Sequence, residues 1–251
     1  MMGTMEFPGA LRHWRGHSRL SQLELANRAG TTQRYLSFLE SGRSSPGRTM
    51  VVRLSESMGL PLRDRNALLA TAGYAPVYPE SGLDAAPLAP VREAIEHILE
   101  AHLPYPALVV DRHGDLVAAN EAVAVVTEGA APELVGPGTN VYRLALHPDG
   151  IAGRIRNFDQ WARHVLERVG PELRAELAPF VVAGEPDSDH LGFAVPLHLD
   201  SSIGELHLMT TVTTFATAVD VTLSELKLEA FLPADRRTAD ALTARGTCSP
   251  H

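Results

Sequence analysis

The segment SQLELANRAGTTQRYLSFLESG, residues 21–42, constrains the fold of this chain more than any other stretch. Ser21 and Glu24 have the spacing of a capping box, in which each side chain accepts a hydrogen bond from the other residue's backbone N–H. Gly30 supplies the left-handed backbone that a sharp turn requires, and Thr32 is suited to cap the helix that follows. These signals predict two short helices joined by a tight turn.

The second of these helices has the pattern of a DNA-recognition helix. Leu36 and Leu39 are three residues apart and point inward, while Gln33, Arg34 and Ser37 point outward together. Glutamine contacts adenine bidentately and arginine contacts guanine or a phosphate, so this row suits the edges of bases in the major groove. The alternative is a polar face that only meets water; it explains single residues but not their joint spacing.

Further DNA contacts are predicted around that row. The side chain of Gln22 lies in the first turn of the preceding helix, where backbone donors face a phosphate. Arg43 lies just beyond the recognition helix and suits a phosphate rather than a base. Phe38 is placed to touch a thymine methyl group or, alternatively, to pack. The predicted DNA-binding residues are Gln22, Thr32, Gln33, Arg34, Tyr35, Ser37, Phe38 and Arg43.

The distribution of charge supports a nucleic-acid partner for the first part of the chain only. The whole chain has a formal net charge of −8. Residues 1–78 nevertheless contain ten arginines, no lysine and five acidic residues, a net charge of +5 that leaves −13 for the remainder. A basic first region on an acidic body is expected when one domain alone meets phosphates.

A proline-rich stretch separates two regions of different character. Before it, short helical patterns broken by glycine and proline predict an all-α five-helix bundle over residues 1–75. The stretch itself predicts a linker over residues 76–90. The second domain, residues 91–251, mixes helical patterns with strand patterns and is predicted to be α+β with an antiparallel sheet. Its strands are expected at residues 105–111, 116–120, 193–199, 203–215 and 226–232, with a last helix over residues 235–244.

Two resemblances to known families follow from these motifs. Residues 11–61, LRHWRGHSRL through SESMGLP, resemble the Xre/Cro-type helix-turn-helix family, which implies DNA contacts at six of the positions named above. YPALVVDRHGDLVAANEAV resembles the opening of a PAS-like domain, and residues 91–243 resemble the ligand-binding domain of MmyB-like regulators. The second resemblance implies a buried pocket for an apolar ligand, such as a fatty acid.

A sheet with helices on one face often leaves a cavity between them. Aromatic residues are expected to line it from the helix over residues 157–169, where Asn157 is predicted to cap and Gln160 to reach back. Polar side chains nearby are candidates to hold a headgroup. The alternatives are that the aromatics are ordinary core residues and the arginines are surface charges. The predicted ligand-binding residues are Asn120, Arg154, Arg156, Phe158, Trp161, His207 and Met209.

No catalytic centre, metal site or cofactor is predicted. The eleven histidines show no HxH or HExxH spacing. Ser224 and Lys227 form an S-x-x-K pair, which resembles the pair of serine–lysine hydrolases, but other motifs of those enzymes are absent. A flavin or haem in a PAS-like pocket would need a cysteine or histidine placed to bind it, and the sequence indicates neither.

The sequence therefore predicts a cytoplasmic transcriptional regulator that binds double-stranded DNA as a homodimer and senses a small apolar ligand. It has no apolar run that could span a membrane, no signal peptide pattern, and one cysteine, Cys248. Two alternatives stay open. The second domain could serve only for dimerisation or recruitment of a protein partner, or the chain could be a serine–lysine self-cleaving repressor.

Overall fold

The computed structural model describes residues 5–136, 138–181, 195–215 and 218–246, which form two compact units. One unit contains the described residues of Met1–Gly82 and Ala216–Ser224, and the other those of Leu83–Phe215 and Glu225–His251. In these described ranges, no helix is both long enough and apolar enough to cross a membrane.

The first unit is built on five helices that enclose a leucine-rich core. Its fully buried side chains include Leu11, Leu25, Leu36, Leu54 and Leu68, so all five helices contribute to the core. The helices are α1 (Phe7–His17), α2 (Gln22–Arg28), α3 (Gln33–Glu40), α4 (Arg48–Ser57) and α5 (Leu62–Thr71).

The connection between α2 and α3 has the structure that the sequence predicts. Ser21 and Glu24 form the capping box: the Glu24 N–H donates to Ser21 Oγ at 3.1 Å, and the Ser21 N–H donates to Glu24 Oε2 at 2.8 Å. Gly30 has φ +60°, and Thr32 Oγ1 accepts from the Tyr35 N–H at 3.2 Å. The capping box, the glycine turn and the threonine cap are therefore confirmed.

A buried carboxylate joins α1, α2 and α3. Glu40 is only 3% exposed, and Arg15 donates to it twice, at 2.6 and 3.1 Å. Gln22 Nε2 donates to Glu40 Oε2 at 2.8 Å, and Arg12 donates to the Glu40 backbone carbonyl at 2.7 Å. Burial acts to raise the pKa of the Glu40 carboxyl, but the hydrogen bonds from Arg15 and Gln22 outweigh it and lower that pKa.

The second unit contains a five-stranded antiparallel sheet in the order β2-β1-β5-β4-β3. The predicted architecture, an all-α five-helix bundle followed by an α+β domain with an antiparallel sheet, is confirmed. The strands are β1 (Ala107–Val110), β2 (Leu116–Ala119), β3 (Leu197–Ser201), β4 (Gly204–Thr214) and β5 (Lys227–Pro233). The α-helices of this unit among the described residues are α6 (Ala89–Ala101), α7 (Val141–Leu146), α8 (Phe158–Arg168), α9 (Pro171–Leu177) and α11 (Arg236–Gly246). A short helix α10 (Val221–Glu225) lies almost wholly in the segment that belongs to the first unit.

The core of the second unit lies between the sheet and α8. Trp161 and Val165 of α8 are buried with Leu199 and Leu206 of the sheet in one apolar cluster. The predicted side-chain cap at the start of α8 was wrong. Asn157 occupies the N-cap position, but its amide binds the chain around β3, donating to the Pro196 carbonyl at 2.6 Å and accepting from the His198 N–H at 3.0 Å.

The turn between β1 and β2 depends on a glycine. Asp111 Oδ1 accepts from the N–H groups of His113 and Asp115, at 2.8 and 2.9 Å, and Gly114 has φ +87°. A Cβ atom at Gly114 would lie 2.3 Å from the ring of Tyr142, closer than nonbonded carbon atoms can approach. Both the backbone angle and the neighbouring ring therefore require glycine here.

We expect Glu40→Ala to destabilise the first unit by about 3–5 kcal/mol, because it leaves Arg15 without its buried partner. Since the Glu40 pKa is lowered on folding, its stabilisation is present above the unfolded carboxyl pKa of about 4.3 and is lost as the pH falls through the folded pKa. Thermal unfolding followed by circular dichroism, at neutral pH and along an acidic series, measures both effects.

The exposed Glu93 on α6 provides a matched control, since Glu93→Ala removes the same charge without opening a core. Equal melting curves for the two variants at neutral pH would contradict the role assigned to Glu40.

Candidate functional site

The outward face of α3 carries the row predicted to read DNA. Gln33 and Arg34 are exposed, and Ser37 and Phe38, one turn further along, are partly exposed. Leu36 and Leu39 point the other way and are fully buried. The structure thus brings the row together on one face of a helix whose opposite face is fixed in the core.

Phe38 supports the side chain of Arg34. The Arg34 guanidinium carbon lies 5.5 Å from the centroid of the Phe38 ring, within the range of a cation–π interaction. A guanidinium held over a ring samples fewer orientations, so less rotamer entropy is lost when it binds a base. Phe38 therefore packs against a neighbour in the same row.

The other predicted DNA contacts surround this row. Thr32 is exposed at the start of α3, and Arg43 is exposed three residues beyond the end of the helix. Tyr35 is partly buried against the core of the unit. The amide nitrogen of Gln22 is bound to Glu40, so this side chain is held by the buried carboxylate at the start of α2.

A cavity of about 270 Å³ lies inside the second unit. Its walls are mostly apolar and come from the sheet, from α7 and α8, and from the segment after β2. They include Leu108, Leu116, Val123, Val126, Leu144, Ile151, Val165, Leu197 and Phe231. A concave, mostly apolar space with a few polar groups is the usual form of a small-molecule site.

Trp161 supplies an unusual polar group to this cavity. Its side chain is 5% exposed and lines the wall, and its Nε1 has no hydrogen-bond partner among the described residues. A buried donor without an acceptor costs about 1–3 kcal/mol. Trp161 therefore places a buried, unsatisfied donor among the side chains that surround the cavity.

An ion pair forms another part of the wall. Arg168 of α8 donates to Glu229 of β5, which is 4% exposed, and both residues line the cavity. Tyr142 lies in the same wall; burial and the Glu229 charge raise its pKa. Since Glu229 neutralises Arg168, this side of the cavity carries polar atoms without a net charge.

Two of the predicted ligand-binding residues, Asn120 and Trp161, line the cavity. The Asn120 amide is bound to backbone: it donates to the carbonyls of Leu99 and Tyr105, at 3.1 and 2.9 Å, and accepts from the Ala107 N–H at 3.1 Å. Its polar atoms therefore hold α6, β1 and β2 together as well as facing this wall.

The other five predicted ligand-binding residues are placed away from the cavity lining among the described residues: Arg154, Arg156, Phe158, His207 and Met209. Arg154 donates to the carbonyls of Val125, Val126, Glu128 and Asp200 at 2.6–3.0 Å, which joins the segment after β2 to the end of β3. Arg156 binds the Asp200 carboxylate at 2.8 Å. Phe158 is partly buried against the core.

Sequence reasoning missed Arg168, Glu229 and Tyr142. A signal for Arg168 was present, since it follows Trp161 by seven residues and Val165 by three, and so lies on the same apolar stripe of α8. A charged residue on such a stripe indicates a buried partner or a cavity. That partner, Glu229, is 61 residues away in the sequence and carries no local signal.

Two regions of the chain match known families. Residues 11–64 match the family described as helix-turn-helix, and residues 91–181 match the MmyB-like transcription regulator ligand binding domain. No curated protein matches the chain.

Solved structures similar to the chain include a domain of the sensory box sensor histidine kinase/response regulator from Geobacter sulfurreducens. It is 18% identical, with 60% of this chain and 99% of that chain covered and a TM-score of 0.26. An RNA-binding Light-Oxygen-Voltage receptor is 16% identical, with 95% and 62% covered and a TM-score of 0.27.

Removing Arg168 tests the ion pair in the cavity wall. We expect Arg168→Ala to destabilise the second unit by about 3–5 kcal/mol, because Glu229 would keep a buried charge without a partner. The double variant Arg168→Met/Glu229→Leu should recover most of this loss, since it removes both charges at similar volume. Urea denaturation of the full chain gives the free energies.

Glu167→Ala, an exposed change on the same helix, should stay close to wild type. A double variant as unstable as Arg168→Ala would show that packing around Arg168, rather than the unpaired Glu229 charge, sets the loss.

Proposed function

We propose that this chain, which carries an Xre-type helix-turn-helix DNA-binding domain followed by an MmyB-like ligand-binding domain, is a transcription regulator whose DNA affinity responds to an apolar molecule in the cavity. The observation that carries the ligand part is an apolar cavity lined in part by Trp161, whose buried N–H has no partner among the described residues. The observation that carries the DNA part is the exposed row on α3.

In this proposal α3 lies in the major groove and Gln33 and Arg34 contact base edges. Both side chains are exposed near the N-terminal end of the helix, where a recognition helix meets the bases. Thr32, Ser37 and the exposed Arg43 contact the backbone or adjacent bases, and Phe38 positions Arg34. A homodimer would place two such helices one helical turn of DNA apart, so we expect an operator with two half-sites.

The chemistry of the cavity narrows the class of ligand. Its volume lies near the lower end of small-molecule sites, roughly 300–1,000 Å³, and its walls favour a hydrocarbon body. Trp161 requires an acceptor. Because Glu229 already neutralises Arg168, a neutral carbonyl gains more here than a free carboxylate does. The site therefore suits an acyl compound with a neutral carbonyl, among the fatty-acyl ligands that the family resemblance implies.

Regulation requires that the ligand bind two states of the protein with different affinities. Relief of the unsatisfied Trp161 donor supplies such a difference, because only a conformation that holds the acceptor near Nε1 gains the bond. A second domain used only for assembly would not need a cavity of this size, so the cavity favours ligand sensing over that alternative.

Gln33→Ala and Arg34→Ala are expected to weaken specific DNA binding by about 1–3 kcal/mol and to relax the preference at one base position each. Arg43→Ala should weaken binding to all sequences and reduce the salt slope by about one unit. Selection from random oligonucleotides supplies the operator, and fluorescence anisotropy at several salt concentrations measures affinity. Arg237→Ala, exposed on α11, serves as the control. An unchanged base preference in both α3 variants would remove Gln33 and Arg34 from the reading face.

Native mass spectrometry of freshly purified full-length protein, before and after mild denaturation, should reveal a bound acyl compound and the dimer.

Affinities for methyl dodecanoate, dodecanoic acid and dodecane then test whether a hydrogen-bond acceptor on the ligand contributes to binding. Trp161→Phe keeps an apolar ring but removes the N–H. We therefore expect it to weaken the binding of methyl dodecanoate by about 0.5–1.5 kcal/mol and to leave the binding of dodecane unchanged. Equal losses for the ester and the alkane would contradict the hydrogen bond.

A further inference from the structure

Two histidines and a glutamate converge on the outer face of the β3–β4 hairpin. His198 lies on β3, and Glu205 and His207 lie on β4, on the face opposite the buried Leu197, which lines the cavity. We propose that His198, Glu205 and His207 form a binding site for a divalent transition metal of the zinc class. This site is separate from the ligand cavity and does not depend on the function proposed above.

The register of the hairpin places these side chains together. His198 pairs directly with His207, and Glu205 is two residues before His207 on the same face of β4. The imidazole rings stack with centroids 4.2 Å apart, and His207 Nε2 lies 3.1 Å from Glu205 Oε1. One ligand atom from each of the three residues lies within 4.8 Å of the others.

The backbone at both histidines is fixed from outside the hairpin. The His198 N–H donates to Asn157 Oδ1 at 3.0 Å, and the His207 N–H donates to Thr238 Oγ1 at 3.0 Å. The His207 carbonyl accepts from the Ala234 N–H at 2.8 Å. The chain thus holds the positions of the two residues while their partly exposed side chains remain able to rotate.

A second carboxylate completes the arrangement. Asp235 Oδ2 lies 2.9 Å from His207 Nδ1, the position of a carboxylate that orients a metal-binding histidine through its other nitrogen. If Nδ1 donates to Asp235, a neutral His207 directs the lone pair of Nε2 at Glu205 Oε1, 3.1 Å away. Two acceptors at this distance repel each other unless a cation lies between them. A metal ion provides that cation, and a proton on Nε2 is the competing occupant.

The charges around the site favour a cation. Asp200, Glu205 and Asp235 are carboxylates on or beside the hairpin. Arg156 is the opposing charge: its Nε lies 2.8 Å from Asp200 Oδ1 and 3.8 Å from Glu205 Oε1. A metal therefore competes with Arg156 for Glu205, and removal of that guanidinium should strengthen metal binding.

Imidazole and carboxylate ligands together suit zinc and its neighbours. Zinc–nitrogen bonds are about 2.0–2.1 Å long, so ligand atoms of a tetrahedral ion lie roughly 3.3 Å apart. His207 Nε2 and Glu205 Oε1 are already at 3.1 Å, and the ring of His198 must rotate or shift to complete the site. With three protein ligands, a tetrahedral ion keeps one position for water. The sequence predicted no metal site because it contains no HxH or HExxH spacing, whereas these histidines are brought together by strand pairing.

Zinc titration of the full-length, tag-free protein after treatment with a chelator tests the proposal. Isothermal titration calorimetry should give one zinc per chain, and zinc above its dissociation constant should raise the unfolding temperature with the logarithm of its concentration. His198→Gln/His207→Gln should lose this binding, while His97→Gln, an exposed change on α6, should retain it. The visible absorption of bound cobalt should report nitrogen and oxygen ligands in wild type and disappear in the double variant.

Two single variants keep the test decisive if the double variant fails to fold. Asp235→Asn preserves the oxygen that accepts from the Thr238 N–H at 2.8 Å and should weaken zinc binding by about 10–100-fold. Arg156→Gln should strengthen it. Wild-type protein that binds no zinc indicates a proton between His207 and Glu205 and overturns the proposal. A folded double variant that binds zinc as tightly as wild type, or single variants that do not shift the affinity in opposite directions, also overturns it.

Discussion

A carboxylate buried at the C-terminal end of α3 is tolerated only because Arg15 of α1 and Gln22 of α2 donate hydrogen bonds to the Glu40 side chain. The negative end of the helix dipole and the loss of water both disfavour a charge there. Arg15 and Gln22 offset these costs and, in doing so, fix α1 and α2 against the recognition helix. The exposed face of α3 therefore owes its position to an interaction on the opposite side, and Gln22 is held at the start of α2 by the same carboxylate.

In the second unit, a buried charge is again neutralised by a partner from another element, here in the wall of a cavity. Arg168 and Glu229 neutralise each other in an apolar wall, so the polar atoms needed to orient a ligand are present without a net charge. Among the described residues that line this wall, Trp161 is the one with a buried side-chain nitrogen or oxygen left without a partner. A buried polar group of this kind discriminates strongly between molecules that supply a partner and molecules that do not.

The sequence predicted those features that neighbouring residues determine by themselves. The capping box at Ser21 and Glu24, the turn at Gly30 and the β1–β2 hairpin all depend on residues within about ten positions of one another, where backbone sterics and short hydrogen bonds decide. The sequence did not predict features that depend on contacts between residues far apart along the chain. Asn157 is a residue type that commonly caps helices, yet its amide instead forms hydrogen bonds with the backbone around β3. The Arg168–Glu229 pair and the His198–His207 pair are created by the fold, and their residue types alone do not identify their partners.

The size of the cavity depends on Gly114, a residue that does not line it. Tyr142 forms part of the cavity wall and packs against the position that a side chain at residue 114 would occupy. Any larger residue in the β1–β2 turn would displace that ring, and the space available inside would change with it. The shape of the cavity is therefore open to variation from a buried glycine in a turn, so cavities of different shape need not differ in the residues that line them.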